Sequence, residues 1–282
     1  MGDFLQEALA AGLVVGESQA LLARLPPASV DLILTSPPYA DARAYSRIPP
    51  DQYEAWFSPY AQAMQTVLKP SGSLLLNIND RIARSGPLRG QRHPYVYRLV
   101  LALQEAGWRW METYIWEKPN AMPGRFGPRL KDAFEYVYHF ARGDRPYVDV
   151  DAVRVPYKTE AAEIAQRQTR GSRRRTTAAG FGRDRARTYG RGGADPGNVI
   201  SIPQSYNQHN GVAHTAPMPE ALADFFIRFA CPPRGIVIDP FAGSGTTVLA
   251  ARRLGRQAAG FDRQGPFVVA GRERLRILSA AP

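Results

Sequence analysis

Residues 30–39, Val-Asp-Leu-Ile-Leu-Thr-Ser-Pro-Pro-Tyr, run a short apolar stretch straight into two adjacent prolines. Neither proline can donate a backbone hydrogen bond to a ladder and each fixes its own φ, so the strand formed by Val30 to Leu34 has to stop there. The chain then enters a stiff loop whose carbonyl groups point in set directions with no N–H beside them. Such a loop is either a plain connection or a holder for something that offers hydrogen atoms.

The surrounding sequence alternates between strand and helix patterns. Continuous apolar runs at 74–78, after the turn Lys69-Pro70-Ser71-Gly72, and at 235–239 read as buried parallel strands, and residues 110–116, 134–140 and 257–261 supply further candidates. Helical spacing appears at 53–68, through Trp56, Tyr60, Met64, Val67 and Leu68, and again at 95–106, 219–230, 246–254 and 266–278. The helix at 95–106 ends at Gly107, a residue suited to a left-handed cap. This order predicts an α/β fold, doubly wound around a mostly parallel sheet.

A second loop stands near the C-terminus, in Asp239-Pro240-Phe241-Ala242-Gly243-Ser244-Gly245-Thr246-Thr247. Here a strand ends in an acid, and a turn of small residues leads into a helix. Glycines at that place let the backbone approach a ligand closely, and the N–H groups of the helix start favour an anionic group. The ending of a phosphate-binding P-loop is absent, as is the third glycine of the dinucleotide fingerprint. The next strand ends in Gly260-Phe261-Asp262, where an acid can accept hydrogen bonds from ribose hydroxyls. Together these parts predict a nucleoside-containing cofactor without phosphates.

Charge narrows the partner. The chain carries a net +11, and eight of those charges fall between residues 166 and 193. Nine arginines lie in that stretch, Arg167, Arg170, Arg173, Arg174, Arg175, Arg183, Arg185, Arg187 and Arg191, against the single acid Asp184. With few aliphatic residues around them, they cannot bury enough apolar area to offset the entropy of ordering. The stretch is a solvated linker or an arm that orders on a phosphate backbone, and the concentration of charge favours the arm. A membrane partner is disfavoured, because no apolar run approaches the roughly 20 residues needed to span a bilayer. The lone cysteine, Cys231, excludes an internal disulfide and fits a reducing cytoplasm. His93, His139, His209 and His214 have no metal-ligand spacing, so no metal is predicted.

The motifs Thr-Ser-Pro-Pro-Tyr at 35–39 and Asp-Pro-Phe-Ala-Gly-Ser-Gly-Thr-Thr at 239–247 resemble those of the S-adenosylmethionine-dependent DNA amino-methyltransferases. The order resembles the subgroup in which the catalytic motif precedes the cofactor motif, with a target-recognition region between them. The similarity extends through GLVVGES, LKPSGSLLLNIND, WEKPNAMP, HTAPMPEAL and GFD, leaving residues 142–198 outside it. It implies a seven-stranded methyltransferase sheet with permuted motif order, divided as catalytic half 1–141, basic target-recognition insertion 142–198 and cofactor half 199–282. It also implies methylation of the exocyclic N4 of cytosine in double-stranded DNA, since Ser before Pro-Pro-Tyr is usual for that product. An Asp or Asn at that place is usual for N6-methyladenine, which stays open as the alternative. Such enzymes often accompany a cognate restriction endonuclease and act as monomers or homodimers in the cytoplasm.

The resemblance also implies residue roles. Ser36 Oγ and the Pro37 carbonyl would accept the two amine hydrogens, the Pro37-Pro38 pair would preorganise them, and Tyr39 would stack on the flipped base. Phe241 would lie under the adenine of the cofactor, Asp262 on its ribose, and Ala242, Gly243, Ser244 and Gly245 against its methionine part, with Asp239, Pro240 and Thr246 beside them. Thr215 and Pro217 would close over the same pocket, and Glu17 would contact the adenosine. Trp116 and Asn120 would line the base pocket, although Trp116 reads equally well as core. Three other readings are weaker. A hydrolase using Ser36 lacks the G-x-S-x-G elbow and a placed histidine. C5 methylation through Cys231 needs a thiolate in the catalytic loop, far from this cysteine in sequence. A DNA-binding protein without activity would show degenerate motifs.

Overall fold

The apolar runs become the inner strands of one sheet. The computed structural model describes residues 3–41, 47–83, 85–124, 127–157, 193–205 and 218–280. They fall into two units, one of Met1–Val148 with Asn198–Pro282 and one of Asp149–Gly197. In chain order the first unit holds α1 (Asp3–Ala11), β1 (Leu13–Val15), α2 (Ser18–Leu22), β2 (Val30–Thr35), α3 (Tyr53–Val67) and β3 (Leu68–Ile78). Then come β4 (Arg81–Ile82), β5 (Arg92–His93), α4 (Tyr95–Glu105), β6 (Arg109–Glu117), β7 (Phe134–Ala141) and β8 (Val199–Ser201). The last elements are α5 (Glu220–Ala230), β9 (Ile236–Asp239), α6 (Thr246–Arg253), β10 (Gln257–Asp262) and α7 (Gly265–Ala280).

The main sheet has the order β1-β10-β9-β2-β3-β7-β6-β8. Strands β1, β10, β9, β2 and β3 run parallel, β7 is antiparallel to both β3 and β6, and β8 pairs parallel with β6. This is the doubly wound, mostly parallel sheet that the alternation predicts. It has eight strands where a seven-stranded sheet is expected, the extra one being the three-residue edge strand β8.

Period-2 alternation divides the core. Ile33, Leu74, Leu76 and Phe140 point to the face carrying Leu5, Phe57, Met64 and Leu99 from α1, α3 and α4. Leu32, Leu34, Leu75 and Val137 point to the other face, against Phe226, Val248 and Leu275 of α5, α6 and α7. Every residue of β2 is buried, as a central parallel strand requires. Asp31 fixes the entrance of the central strands: its carboxylate accepts the Ile236 N–H at 2.8 Å and pairs with Lys69 Nζ at 2.8 Å.

Two local expectations change. Lys69-Pro70-Ser71-Gly72, predicted as a turn, lies inside β3. The register steps there from Val30 opposite Leu68 to Leu32 opposite Ser73, so the segment is an irregularity that tolerates a proline within a strand. The first 22 residues, unassigned in the sequence, supply α1, the edge strand β1 and α2.

In the second unit, Asp151–Val153 forms a 3-10 turn and Val155 bridges Ala194. Arg154 pairs there with Asp151 at 2.5 Å and Asp195 at 2.6 Å. The nine arginines from Arg167 to Arg191, together with Thr215 and Pro217, lie outside the described residues. No helix among the described residues is long and apolar enough to cross a membrane.

Candidate active site

Strands β2 and β9 are hydrogen-bonded neighbours, with Leu32 opposite Val237 and Ile33 opposite Ile238. The proline loop and the glycine turn, separated by about two hundred residues of chain, therefore leave the sheet side by side at the same edge. A direct bond joins them: Thr35 Oγ1 donates to Asp239 Oδ1 at 2.6 Å, and the Phe241 N–H donates to the same oxygen at 3.0 Å. Burial pushes the Asp239 carboxyl up to about 6, against these bonds, which lower it.

The proline loop is tied down on several sides. Tyr53, buried in α3, donates its hydroxyl to the Pro38 carbonyl at 2.8 Å, and Arg81 Nη1 donates to the Ala40 carbonyl at 2.9 Å. The Tyr39 hydroxyl donates to Glu135 Oε2 at 2.6 Å, and Ser36 Oγ makes a long 3.4 Å contact to the Tyr39 oxygen. Glu135 is further held by Asn77 Nδ2 at 3.0 Å and by Lys118 Nζ at 2.5 Å.

The glycine turn is held by its backbone. Gly245 sits at φ +81° as the cap of α6, where a side chain would be strained. A Cβ on Gly260 of β10 would lie 2.5 Å from Ala242 Cβ, so only glycine lets the turn rest directly on that strand. At the end of β10, Asp262 accepts the Gly243 N–H at 2.9 Å and the Gln264 N–H at 2.8 Å. A carboxylate has about four acceptor positions, so hydroxyl groups can bind the same oxygens. Phe241 packs on Tyr60 with ring centroids 5.2 Å apart and on Trp56 at 5.9 Å, which leaves it as an aromatic wall.

One cavity of about 490 Å³ takes its lining from both loops. Ser36, Pro37, Pro38 and Tyr39 contribute on one side. Asp239, Pro240, Phe241, Ala242, Gly243, Ser244, Thr246 and Asp262 contribute on the other. Glu17 also lines it, with Oε1 accepting from Tyr60 at 2.5 Å. Gly245 is not part of the lining, and a Cβ there would face Leu13 Cδ1 at 2.9 Å. Trp116 is a core residue that also borders the cavity: it is 3% exposed and its indole N–H bonds the Ile202 carbonyl. Asn120 stands outside the lining and brackets the Gln204 backbone at 3.0 and 2.7 Å, so the residue that reaches the cavity there is Gln204. Cys231 lies elsewhere, and burial pushes its thiol up to about 12, unlike an activated nucleophile.

Sequence reasoning missed Asn77, Glu135 and Lys118. The available signal was an acid in strand register with Val137 and His139, on a face otherwise directed inward. A buried carboxylate must find partners, and the cavity wall is where it finds them.

The parts can hold a nucleoside by an aromatic wall and a carboxylate, and present a second planar group to Ser36 and the Pro37 carbonyl. Known proteins are similar to this chain in sequence and in fold. Type II methyltransferase M.PvuII of Proteus hauseri is 28% identical over 283 aligned positions, covering 93% of this chain and 83% of that protein. The solved PvuII DNA methyltransferase (cytosine-N4-specific) superposes with a TM-score of 0.69 at 24% identity, over 94% of this chain and 90% of that one. TTHA0409 of Thermus thermophilus, a putative DNA modification methylase solved in complex with S-adenosyl-L-methionine, superposes with a TM-score of 0.65 at 23% identity, covering 96% of this chain and 95% of that one. The profile of the DNA methylase family, whose members act on N6 and N4 amines, matches residues 30–269, and the chain belongs to that family.

Proposed function

We propose that this DNA methyltransferase moves a methyl group from S-adenosylmethionine to the exocyclic N4 of a cytosine flipped out of duplex DNA. The observation that carries the reading is the adjacency of β2 and β9, which opens the proline loop and the glycine turn into one cavity. The residues present suit the methyl donor. Phe241 offers a face to adenine, Asp262 accepts ribose hydroxyls, and the small residues Ala242 to Ser244 admit the methionine portion, with Glu17 at the adenosine end. The donor supplies an electrophilic methyl group on a sulfonium, so neither a covalent enzyme intermediate nor a metal is called for.

The protein's own task is to make a poor nucleophile reactive. An exocyclic amine delocalises its lone pair into the ring, and acceptors for both N–H hydrogens draw the nitrogen toward a pyramidal shape. Ser36 Oγ and the Pro37 carbonyl take those two roles. The neighbouring Pro38 carbonyl is committed to Tyr53, which holds the Pro38–Tyr39 peptide directly after the acceptor pair. Tyr39 stacks on the base, its ring angle set by the bond to Glu135, and Trp116 borders the same space.

Cytosine is favoured by the neutral serine at position 36 and by the stated cytosine-N4 specificity of the PvuII enzyme. Adenine N6 is the second reading, because the family includes both amines. Residues 142–198 act as the target-recognition insertion, with the arginines from Arg167 to Arg191 on the phosphate backbone. Nucleoside mass spectrometry of DNA treated with the protein and S-adenosylmethionine tests the reading. N4-methylcytosine is the expected product, N6-methyladenine would move the assignment to the second reading, and unmodified DNA would end both.

A further inference from the structure

Glu135 is the charged side chain of β7 that reaches the cavity, and it is only 13% exposed. Its two oxygens are used differently. Oε1 faces Lys118 Nζ, which sits 4.7 Å over the Trp116 ring, while Oε2 accepts from Asn77 and from the Tyr39 hydroxyl. The Tyr39 oxygen in turn receives the Ser36 hydroxyl. A line of exchangeable protons thus runs from Ser36, across its 3.4 Å contact with the Tyr39 oxygen, to a buried carboxylate. Burial and the nearby Glu135 charge hold the Tyr39 phenol well above its ordinary range, so Tyr39 passes a proton without ionising.

The geometry points to Glu135 as the terminal proton acceptor of the reaction, reached from the amine through Ser36 and Tyr39. This rests on the methyl-transfer function proposed above. As the N–CH₃ bond forms and the S–CH₃ bond breaks, the positive charge passes to the amino nitrogen. That nitrogen gives one proton to Ser36 Oγ, the Ser36 proton moves to the Tyr39 oxygen, and the Tyr39 proton moves to Glu135 Oε2. The products are a neutral methylamine and a neutral carboxylic acid, with Ser36 and Tyr39 restored. A serine alone cannot take up that charge, and Glu135 is the carboxylate in contact with its relay. Asn77 and Lys118 position the carboxylate; Tyr95, Asp80 and Arg81 are further ionisable groups near the relay, and Arg47, Asp239 and Arg263 line the same cavity.

Because Glu135 acts through other groups, its test needs more than a rate. Single-turnover methyl transfer to plasmid DNA is followed against pH for the wild type, Glu135→Gln, Glu135→Asp and Tyr39→Phe, with sinefungin affinity measured by calorimetry on each. Glu135→Gln and Tyr39→Phe are expected to lose on the order of 10²-fold in rate. Glu135→Asp is expected to regain part of it, and sinefungin affinity to stay within threefold. The acid limb of the wild-type profile should vanish in Glu135→Gln, and Tyr39→Phe carries the test alone should that variant not fold. Rates within threefold of wild type, an acid limb that persists unchanged, or a parallel loss of sinefungin affinity would overturn the relay. A wild type that transfers no methyl group overturns the proposed function and the relay with it, whereas an active wild type matched by both variants overturns the relay alone.

Discussion

The loop after β2 carries two prolines and is pinned through side chains, by Tyr53, Arg81 and Glu135, whereas the turn after β9 carries two glycines and is pinned at its backbone groups, by other backbone groups and by carboxylates. Proline stiffens the first wall and strips its backbone of two donors, so what that backbone presents is carbonyl oxygens. Glycine strips the turn of the second wall of side chains, so what it presents is room for close approach, with the Asp262 carboxylate beside it. The two walls should therefore fail in opposite ways. Deleting a side-chain atom harms the first wall, whereas within the glycine turn of the second it is adding one that does harm.

The largest expected effect is on the proline wall. Ser36→Ala removes the acceptor proposed for the amine and should lower kcat by on the order of 10² to 10³, while the affinity for S-adenosylmethionine stays within threefold by calorimetry. Equal losses in both would erase the distinction between the walls. Next comes Asp262→Ala, which removes charge-assisted bonds worth about 1.5 to 3 kcal/mol and should weaken cofactor binding correspondingly with little change in kcat at saturation.

Asp239 sits at the seam and gives a pH signature. Its folded value, raised to about 6 by burial, exceeds the ordinary 3.8, so the stability it contributes is full below about pH 4 and is lost as pH rises through 6. Asp239→Asn keeps an acceptor for Thr35 and the Phe241 N–H but cannot titrate. Relative to wild type, its denaturation midpoint should improve across that window, at about 1.4 kcal/mol per pH unit. A difference that is flat with pH would refute the buried, raised carboxyl. The smallest effect belongs to Gly245→Ala, where the left-handed φ costs about 1 to 2 kcal/mol of stability, read by urea denaturation.

Much of this was legible because both loops end long apolar runs. Val30–Thr35 and Ile236–Asp239 are buried strands whose termination is written in proline and in glycine, and each signal is local. The order of strands was less visible. β1 is three residues long and pairs with β10, and β8 is three residues at an edge, so neither carries a pattern long enough to recognise. Pro70 and Gly72 read as a turn, since nothing in their neighbourhood reveals that β2 accommodates them through a register shift. Glu135 was hidden for a related reason: its partners Tyr39, Asn77 and Lys118 come from three separate segments. Asn120 looked like a pocket residue beside Trp116, yet its amide matches the backbone of Gln204, 84 positions away.

A crystal structure of the protein with sinefungin tests the shared cavity most directly. The expected density lies across both walls, with adenine against Phe241, ribose at Asp262 and the amine-bearing end directed toward Ser36. Density bound outside this cavity, or seated on the glycine turn with its reactive end directed away from the proline loop, would contradict the account.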